Sequence, residues 1–377
     1  MSKRFLVLEN AGFADVIKKA ATVAASRGEA YEKAAGIIIQ SNELGVTVRA
    51  TNLDIFYTEW IDPIEQSDEH FIWRVSSKLL SSVTGALPIG PGKTVTITND
   101  DDKPGYLTTL SNRYRSSLPL IKIDTFPDWG VFDPDIMTET KGFSRAISLV
   151  EWAASTNQDP PKTGVHFTGS MVAATNGYRV ATAAFAMPTS EPFTIPAGTV
   201  GQLVKANGGG EAKLRYDGNR LLVLPNAHTQ IQVTAFGAQY PNISRVLTTI
   251  PPDEFEVNKE EFLSVLRRAE PLSNTDRTPG IFLRLGNKTI SAYAITEVDG
   301  ASAGDVMDSP GHLDHPVRTY FFIPTNLIAA IETAPDSVIK VKYWLDNPAG
   351  NWFIYSGNEY VAIVAPRRYT PKQGEAN

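Results

Sequence analysis

Apolar residues recur at three- and four-residue spacing over 13–25, 143–154 and 262–269, and each stretch predicts an amphipathic helix. Three more helices are predicted where a β-rich run gives way to the same spacing, after 72–75, 193–196 and 321–324. Their apolar positions are Leu79 and Val83, Val200 and Leu203, and Leu327 and Ile331. Pro196 and Pro324 suit a first helical turn, where the missing N–H would have no partner. Helices are therefore expected over 11–26, 76–87, 141–156, 197–207, 259–270 and 324–334. The intervening pattern is that of strands. The run 36–40 is continuously apolar and 45–50 alternates, while 213–216 and 221–224 flank the turn signal Asp217-Gly218-Asn219. The segments 338–345 and 352–355 flank a second turn signal at Asn347, Pro348 and Gly350.

These elements repeat. The strand-to-helix junctions fall at 75, 196 and 324, intervals of 121 and 128. Val48-Arg49-Ala50-Thr51-Asn52 returns as Val172-Ala173-Ala174-Thr175-Asn176, 124 positions later, with a looser echo at 290–294. A period of about 126 is far longer than a solenoid repeat, so each block is expected to be a domain. The order helix, strands, helix, strands makes the fold class α+β: three repeated units, each with two helices packed on antiparallel sheet. Linker-like residues at 126–129 and 251–253 place the domains at 1–129, 130–251 and 252–377, the last ending in a polar tail over 370–377.

Composition narrows the function. The 377 residues are 42% hydrophobic and 20% charged, enough to bury real cores. A net charge of -6 disfavours a protein that grips nucleic acid through one open basic face. With no cysteine there is no disulfide, thiolate metal site or cysteine nucleophile, and a reducing cytoplasm fits. No apolar run reaches the roughly 18 residues of a membrane span, and the N-terminus does not read as a signal peptide.

Several motifs invite chemistry and fall short. Gly90-Pro91-Gly92-Lys93-Thr94 imitates a phosphate loop, but Leu87 stands where its first glycine is required, and a hairpin turn is preferred. The glycines 208–210 read as a loop after a helix. His312 and His315, near Asp308 and Asp314, sit in a Gly-, Ser- and Pro-rich stretch better read as a solvated loop than a metal site. Residues 100–102, all aspartate, read as an acidic hairpin tip. No catalytic constellation and no cofactor site emerges, and dispersed carboxylates stay open as a hydrolase alternative. Charge is uneven, however. The six predicted helices hold nine basic residues (Lys18, Lys19, Lys78, Lys141, Arg145, Lys205, Lys259, Arg267, Arg268) and six acidic ones, or +3, which leaves -9 for the rest. Basic helices on an acidic body suit ordinary solvated faces, or a concave surface that faces a polyanion.

Four words now acquire weight. Thr175-Asn176-Gly177-Tyr178-Arg179-Val180 is close to T-D-G-H-R-L, and Tyr240-Pro241-Asn242-Ile243-Ser244-Arg245-Val246-Leu247 to F-P-D-Y-R-R-V-L. Leu272-Ser273-Asn274 matches L-S-N, and Val364-Ala365-Pro366-Arg367-Arg368 is similar to V-M-P-M-R. In this order, with the triple repeat, the chain resembles the bacterial DNA polymerase III β sliding clamp. Its divergence fits a phage-encoded or otherwise remote member.

The resemblance implies a non-enzymatic processivity factor of bacterial or host cytoplasm, a head-to-tail homodimer whose six domains close a ring around double-stranded DNA. Topological hold explains how such a protein can be net acidic. By match, Arg27, Lys78, Arg145, Lys205 and Arg268 would face DNA. Leu272 would lie in the dimer interface opposite Ser116, which replaces an aromatic, while Pro271 replaces an isoleucine. A pocket for short motifs of polymerase, clamp loader and repair proteins would comprise Thr175, Gly177, Tyr178, Arg179, Val180, Pro241, Arg245, Val246, Ile363, Ala365, Pro366 and Arg367. Val180 and Val246 would form its floor, and Arg179 and Arg245 its polar edges. Ala365 and Arg367 replace the family's methionines there. The remaining alternative is a three-domain β-rich binding protein, for instance for carbohydrate.

Overall fold

The computed structural model describes residues 4–25, 33–43, 45–99, 103–124, 126–155, 164–236, 240–273, 280–286, 288–295, 300–309 and 316–368. The chain opens with β1 (Arg4–Glu9), α1 (Asn10–Val23), β2 (Ile37–Asn42), β3 (Gly45–Thr51), β4 (Ile55–Ile61), β5 (Glu65–Gln66) and β6 (Phe71–Val75). It continues through α2 (Ser77–Gly85), β7 (Thr94–Asn99), β8 (Tyr106–Ser111) and β9 (Tyr114–Pro119). Next come β10 (Thr138–Thr140), α3 (Phe143–Val150), β11 (Gly164–Phe167), β12 (Met171–Thr175), β13 (Arg179–Ala184), β14 (Phe193–Pro196) and α4 (Ala197–Ala206). Then follow β15 (Ala212–Tyr216), β16 (Arg220–Asn226), β17 (Thr229–Thr234) and the short α5 (Ser244–Leu247). The last third is β18 (Asp253–Asn258), α6 (Lys259–Ser273), β19 (Ile281–Leu285), β20 (Thr289–Ile295), β21 (Ser302–Asp308) and β22 (Arg318–Phe322). It ends with α7 (Pro324–Glu332), β23 (Val338–Tyr343), β24 (Trp352–Ser356) and β25 (Tyr360–Val364).

Strand pairing explains the long sequence period. A strand leads into a helix, an antiparallel three-strand meander follows, and the same phrase is then repeated. The leading strand of each phrase pairs with the meander of the other: β1 with β7 and β6 with β2, β10 with β15 and β14 with β11, β18 with β23 and β22 with β19. Meanders join at β17·β4 and at β13·β25, which makes two eight-stranded sheets, β10-β15-β16-β17-β4-β3-β2-β6 and β14-β11-β12-β13-β25-β24-β23-β18. The sheets β5-β1-β7-β8-β9 and β21-β20-β19-β22 complete the set.

Chain contacts divide into two compact units. One holds 1–144, 187–191 and 198–237, and the other 145–186, 192–197 and 238–377. In the first, Phe13, Val16, Ile17, Ala20 and Val23 bury one face of α1. Arg74 is also buried there, at 1% exposure, and its guanidinium donates to the carbonyls of Ala35 (2.8 Å), Lys33 (3.0 Å) and Lys122 (2.7 Å). Gly36 adopts φ +95°, and a Cβ there would lie 2.6 Å from the Val75 carbonyl oxygen, so only glycine fits. In the second unit, Trp352 is fully buried among Phe255, Tyr320 and Phe322, ring centroids 5.0–6.0 Å away and edge-on. Asn258 caps α6 by accepting from the N–H groups of Glu260 (3.0 Å) and Glu261 (3.1 Å).

The expected helices all form, with shifted ends. α3 stops at Val150 and gives way to a 3-10 turn over Glu151–Ala153, where the Trp152 indole donates to the Leu149 carbonyl at 3.1 Å. α6 passes the expected end at 270 and carries Pro271 in its last turn, where Ser273 Oγ donates to the Glu270 carbonyl at 2.6 Å. The phosphate-loop lookalike is a turn closed by Lys93 N–H to Gly90 O, 3.2 Å. Gly208 and Gly209, at φ +69° and +73°, terminate α4 in left-handed conformation. The aspartates at 100–102, both loop histidines and the tail 370–377 lie outside the described residues. Among the described residues no helix is long and apolar enough to cross a membrane, and no three His, Asp or Glu gather as metal ligands.

Candidate functional site

The densest grouping of the singled-out residues lies on one face of the second unit's eight-stranded sheet. Register sets the face. β13 pairs with β25 so that Val180 opposes Ile363, and β25 pairs with β24 so that Ile363 opposes Phe353. With Ala173 and Ile243, these three form a buried apolar floor, each 8% exposed or less. Met171, Tyr240, Val246, Leu247, Tyr355 and Val361 stand half-buried around it. Val180, Val246 and Ile363 are thus brought together, with Pro241 next to Tyr240 in the segment that walls one side.

Two local devices hold the walls. In the turn before β13, Asn176 Oδ1 accepts from the N–H groups of Tyr178 (2.9 Å) and Arg179 (3.0 Å). Thr175 Oγ1 accepts from the Gly177 N–H at 3.0 Å and donates to the Arg179 carbonyl at 2.7 Å. Gly177 takes φ +91°, which the turn demands, and leaves Tyr178 69% exposed at the tip. The Ala365 N–H donates to the Tyr178 carbonyl at 2.9 Å, which lays Ala365, Pro366 and Arg367 beside this turn. Opposite, the Tyr240 ring stacks on His166, centroids 4.3 Å apart and 3° from parallel. His166 Nδ1 lies 3.0 Å from Thr194 Oγ1, and burial pushes its pKa below the ordinary imidazole range, so the ring is neutral at pH 7.

Arginines divide into two kinds. Arg245, in α5, and Arg367 are exposed, and the Arg367 N–H donates to the Phe321 carbonyl at 2.7 Å. Arg179 is turned inward. Its Nη1 donates to Asn326 Oδ1 at 2.8 Å, its other nitrogens reach the carbonyls of Ala153 and Ala154 at 3.5 Å, and its guanidinium lies 5.3 Å from the Trp152 ring. Burial lowers its pKa without discharging it. Sequence reading missed Ala173, Ile243 and Phe353 in the floor, and Trp152, His166 and Asn326 as supports. Ile243 carried a signal, since it is the apolar residue within the Tyr240–Leu247 motif.

A second turn of the same design occurs in the first unit and has the opposite outcome. Asn52 Oδ1 accepts from the N–H groups of Asp54 and Ile55, both 3.0 Å, and Thr51 Oγ1 accepts from the Leu53 N–H at 2.9 Å. Here the chain's own Trp129 fills the adjoining groove, 7% exposed. Its indole donates to Thr58 Oγ1 at 3.1 Å, with Phe56 5.2 Å away and the Arg49 guanidinium 4.1 Å over the ring. The Gln230 and Gln232 side-chain amides tie down the Phe132 and Gly130 carbonyls at 2.8 and 2.5 Å.

No protein-family model and no curated protein matches this sequence. Solved structures do match it. A DNA polymerase III β subunit from Thermotoga maritima superposes with a TM-score of 0.83 at 15% identity, over 97% of this chain and 100% of the other. A DNA polymerase sliding clamp from Bacillus subtilis gives 0.81 at 18%, over 98% and 100%. A Helicobacter pylori β clamp bound to a DNA ligase peptide gives 0.80 at 13%, over 97% and 100%. The chain has the sliding-clamp fold.

On this clamp fold the singled-out cations sit as follows. Lys78 in α2 and Lys205 in α4 are exposed, with no ion pair among the described residues. Arg145 in α3 is ion-paired with Glu359, and Arg268 in α6 with Asp305. Its neighbour Arg267 pairs with Glu332 at 2.8 Å. Arg27 lies outside the described residues. Ser116 is on β9, the edge strand of its sheet, with its hydroxyl 2.5 Å from Thr109 Oγ1. Leu272 is half-exposed in the last turn of α6. β21 is likewise an edge strand, and its Val306 is 57% exposed.

Proposed function

We propose that this protein is a DNA sliding clamp, a non-catalytic processivity factor that encircles duplex DNA and tethers DNA polymerase and other partners. The observation that carries the proposal is the fold match over nearly the whole chain and the whole of each matched clamp. The apolar floor around Val180 and Ile363 adds to it. The matches give no support to a carbohydrate-binding module.

In this reading the chain comprises clamp domains 1–129, 130–251 and 252–377, and two chains supply the six domains of a ring. The edge strand β9 of one copy meets the edge strand β21 of the other, a heterologous contact that closes because two repeats complete the circle. Leu272 and Ser116 lie at this seam. Duplex DNA passes through the hole, where Arg27, Lys78, Arg145, Lys205 and Arg268 meet phosphates. Few such contacts keep the salt-sensitive term weak, so the ring slides. No base-edge contact is required, and none would be compatible with sliding. The hold is topological, which lets a chain of net charge -6 stay on a polyanion.

Partners dock by a short linear motif whose apolar side chains bury themselves over Val180, Val246, Ile363 and Phe353. The clamp loader uses the same pocket, and the protein works in bacterial cytoplasm, that of a phage host included. The test is retention on DNA. Clamp loaded on nicked circular duplex should stay bound through gel filtration and fall off once the circle is cut. Equal loss from circle and line, or a mass in solution equal to one chain at every concentration, would refute the ring.

A further inference from the structure

We infer that the pocket takes an acidic peptide: a segment whose apolar anchors are flanked by aspartate or glutamate. This inference rests on the peptide-pocket reading above. The stretches that build the pocket are 164–184, 240–247, 352–356 and 360–368. They contain Arg179, Arg245, Arg367 and Arg368 and not one Asp or Glu, in a chain with 41 acidic residues against 35 basic. Carboxylates on the flanking segments are already paired: Glu359, between β24 and β25, with Arg145, and Glu254 and Glu256 with Lys340 and Lys342.

The cations are also sorted by position. Arg179 is committed to Asn326 and two backbone carbonyls, so it stabilises the wall and is withdrawn from the rim. On the same face, one strand beyond β24, Lys340 and Lys342 of β23 oppose Tyr355 and Phe353 across the register. They are answered by Glu254 and Glu256 of β18 at 3.1–3.5 Å. The remaining cations of the pocket segments are Arg245, Arg367 and Arg368. They are exposed on the two segments that border the floor, and neither Arg245 nor Arg368 has an ion pair among the described residues. Tyr178, 69% exposed, accepts at its carbonyl from the Ala365 N–H, two residues before Arg367, so an aromatic ring and guanidinium groups are carried on adjoining segments.

Their chemistry selects the ligand. Apolar side chains seat on Val180, Ile363 and Phe353, while carboxylates just outside them meet planar guanidinium forks that donate to two oxygens at once. Long arginine stems let the charged heads follow the peptide while their methylenes extend the apolar surface. Basic peptides are repelled by the same groups, which gives discrimination among partners as well as attraction.

The experiment uses the full chain and fluorescein-labelled peptides with one core, Gln-Leu-Ser-Leu-Phe, flanked by two aspartates, two serines or two lysines. Anisotropy titration at low salt should rank them aspartate, serine, lysine, with aspartate over lysine by roughly tenfold, as two or three exposed ion pairs would give. The ratio should shrink as salt is raised. Changing Arg245, Arg367 and Arg368 together to glutamine should bring the three peptides to within about twofold of one another while the serine peptide still binds. Equal affinities in the wild type, or a preference that survives the triple change, would overturn the acidic assignment and leave the pocket standing. Absence of binding by all three peptides at millimolar concentration would remove the pocket reading and the inference with it. Tighter capture of a labelled oligothymidylate than of the aspartate peptide, lost in the triple variant, would reassign the rim to single-stranded nucleic acid.

Discussion

Arg179, the first residue of β13, donates to Asn326 Oδ1 in the first turn of α7 at 2.8 Å, a bond between residues 147 positions apart. Asn326 is only 6% exposed, so its side-chain carbonyl, cut off from water, is satisfied by this bond. An arginine expected at the pocket's edge is therefore a strut that fixes the turn carrying Tyr178 and Val180.

Arg179→Ala should destabilise the second unit by about 2–3 kcal/mol, through the orphaned Asn326 carbonyl and the lost Trp152 platform. Arg179→Lys should recover less than half, because one ammonium cannot serve three acceptors in a fork. Urea unfolding read by tryptophan fluorescence measures both.

Trp129→Ala should be costlier, about 3–5 kcal/mol, since a buried indole, its bond to Thr58 and the Arg49 contact go together. Its effect belongs to the first unit, so peptide affinity at the Val180 pocket should not change. Calorimetric unfolding and peptide titration separate the two outcomes.

His166 sets a pH dependence. Burial holds its native pKa below the ordinary value of 6.5. Its contribution is complete above about pH 6.5, where both folded and unfolded chains are neutral. It is lost as pH falls from there through the depressed native pKa, because the unfolded chain takes the proton first. Between about pH 7.5 and about pH 5.5 the wild type should lose more stability than His166→Gln, measured as the shift in urea midpoint.

Lys78→Gln and Lys205→Gln should each flatten the plot of log affinity against log salt for duplex DNA by about one unit, equally for every sequence. Asp305→Asn should act in reverse by releasing Arg268 from its carboxylate. The triple change of Arg27, Lys205 and Arg268 to glutamate should abolish retention on circles with the fold intact, as circular dichroism would show.

Leu272→Ala should weaken dimerisation by about tenfold, as a half-buried leucine at a seam would. Val306→Lys, on the exposed edge strand β21, should weaken it further without loss of thermal stability. Sedimentation equilibrium reads both.

Much of the architecture was legible because the chain writes it three times. The junctions at 75 and 196 mark the ends of β6 and β14, and that at 324 the start of α7 just after β22, where a strand hands over to a helix. The end of α3 was misplaced because Trp152 and Ala153 continue helical spacing inside a 3-10 turn. α5 is four residues long and too short to carry a period. In the site, residues in contiguous words could be found, while Phe353 could not. Alternation predicts that it is buried, but its neighbour Ile363 is known only from strand register. Arg179 looked like a rim residue because its partner Asn326 is remote in sequence.

The tryptophan seated in the first unit's groove has a consequence for traffic. Under the clamp reading proposed above, with that berth taken each chain would be univalent, and a ring of two chains would offer two moorings. A polymerase and one companion could ride the same ring. A third protein would have to wait for a departure, so the order of events on DNA would follow residence times as much as affinities.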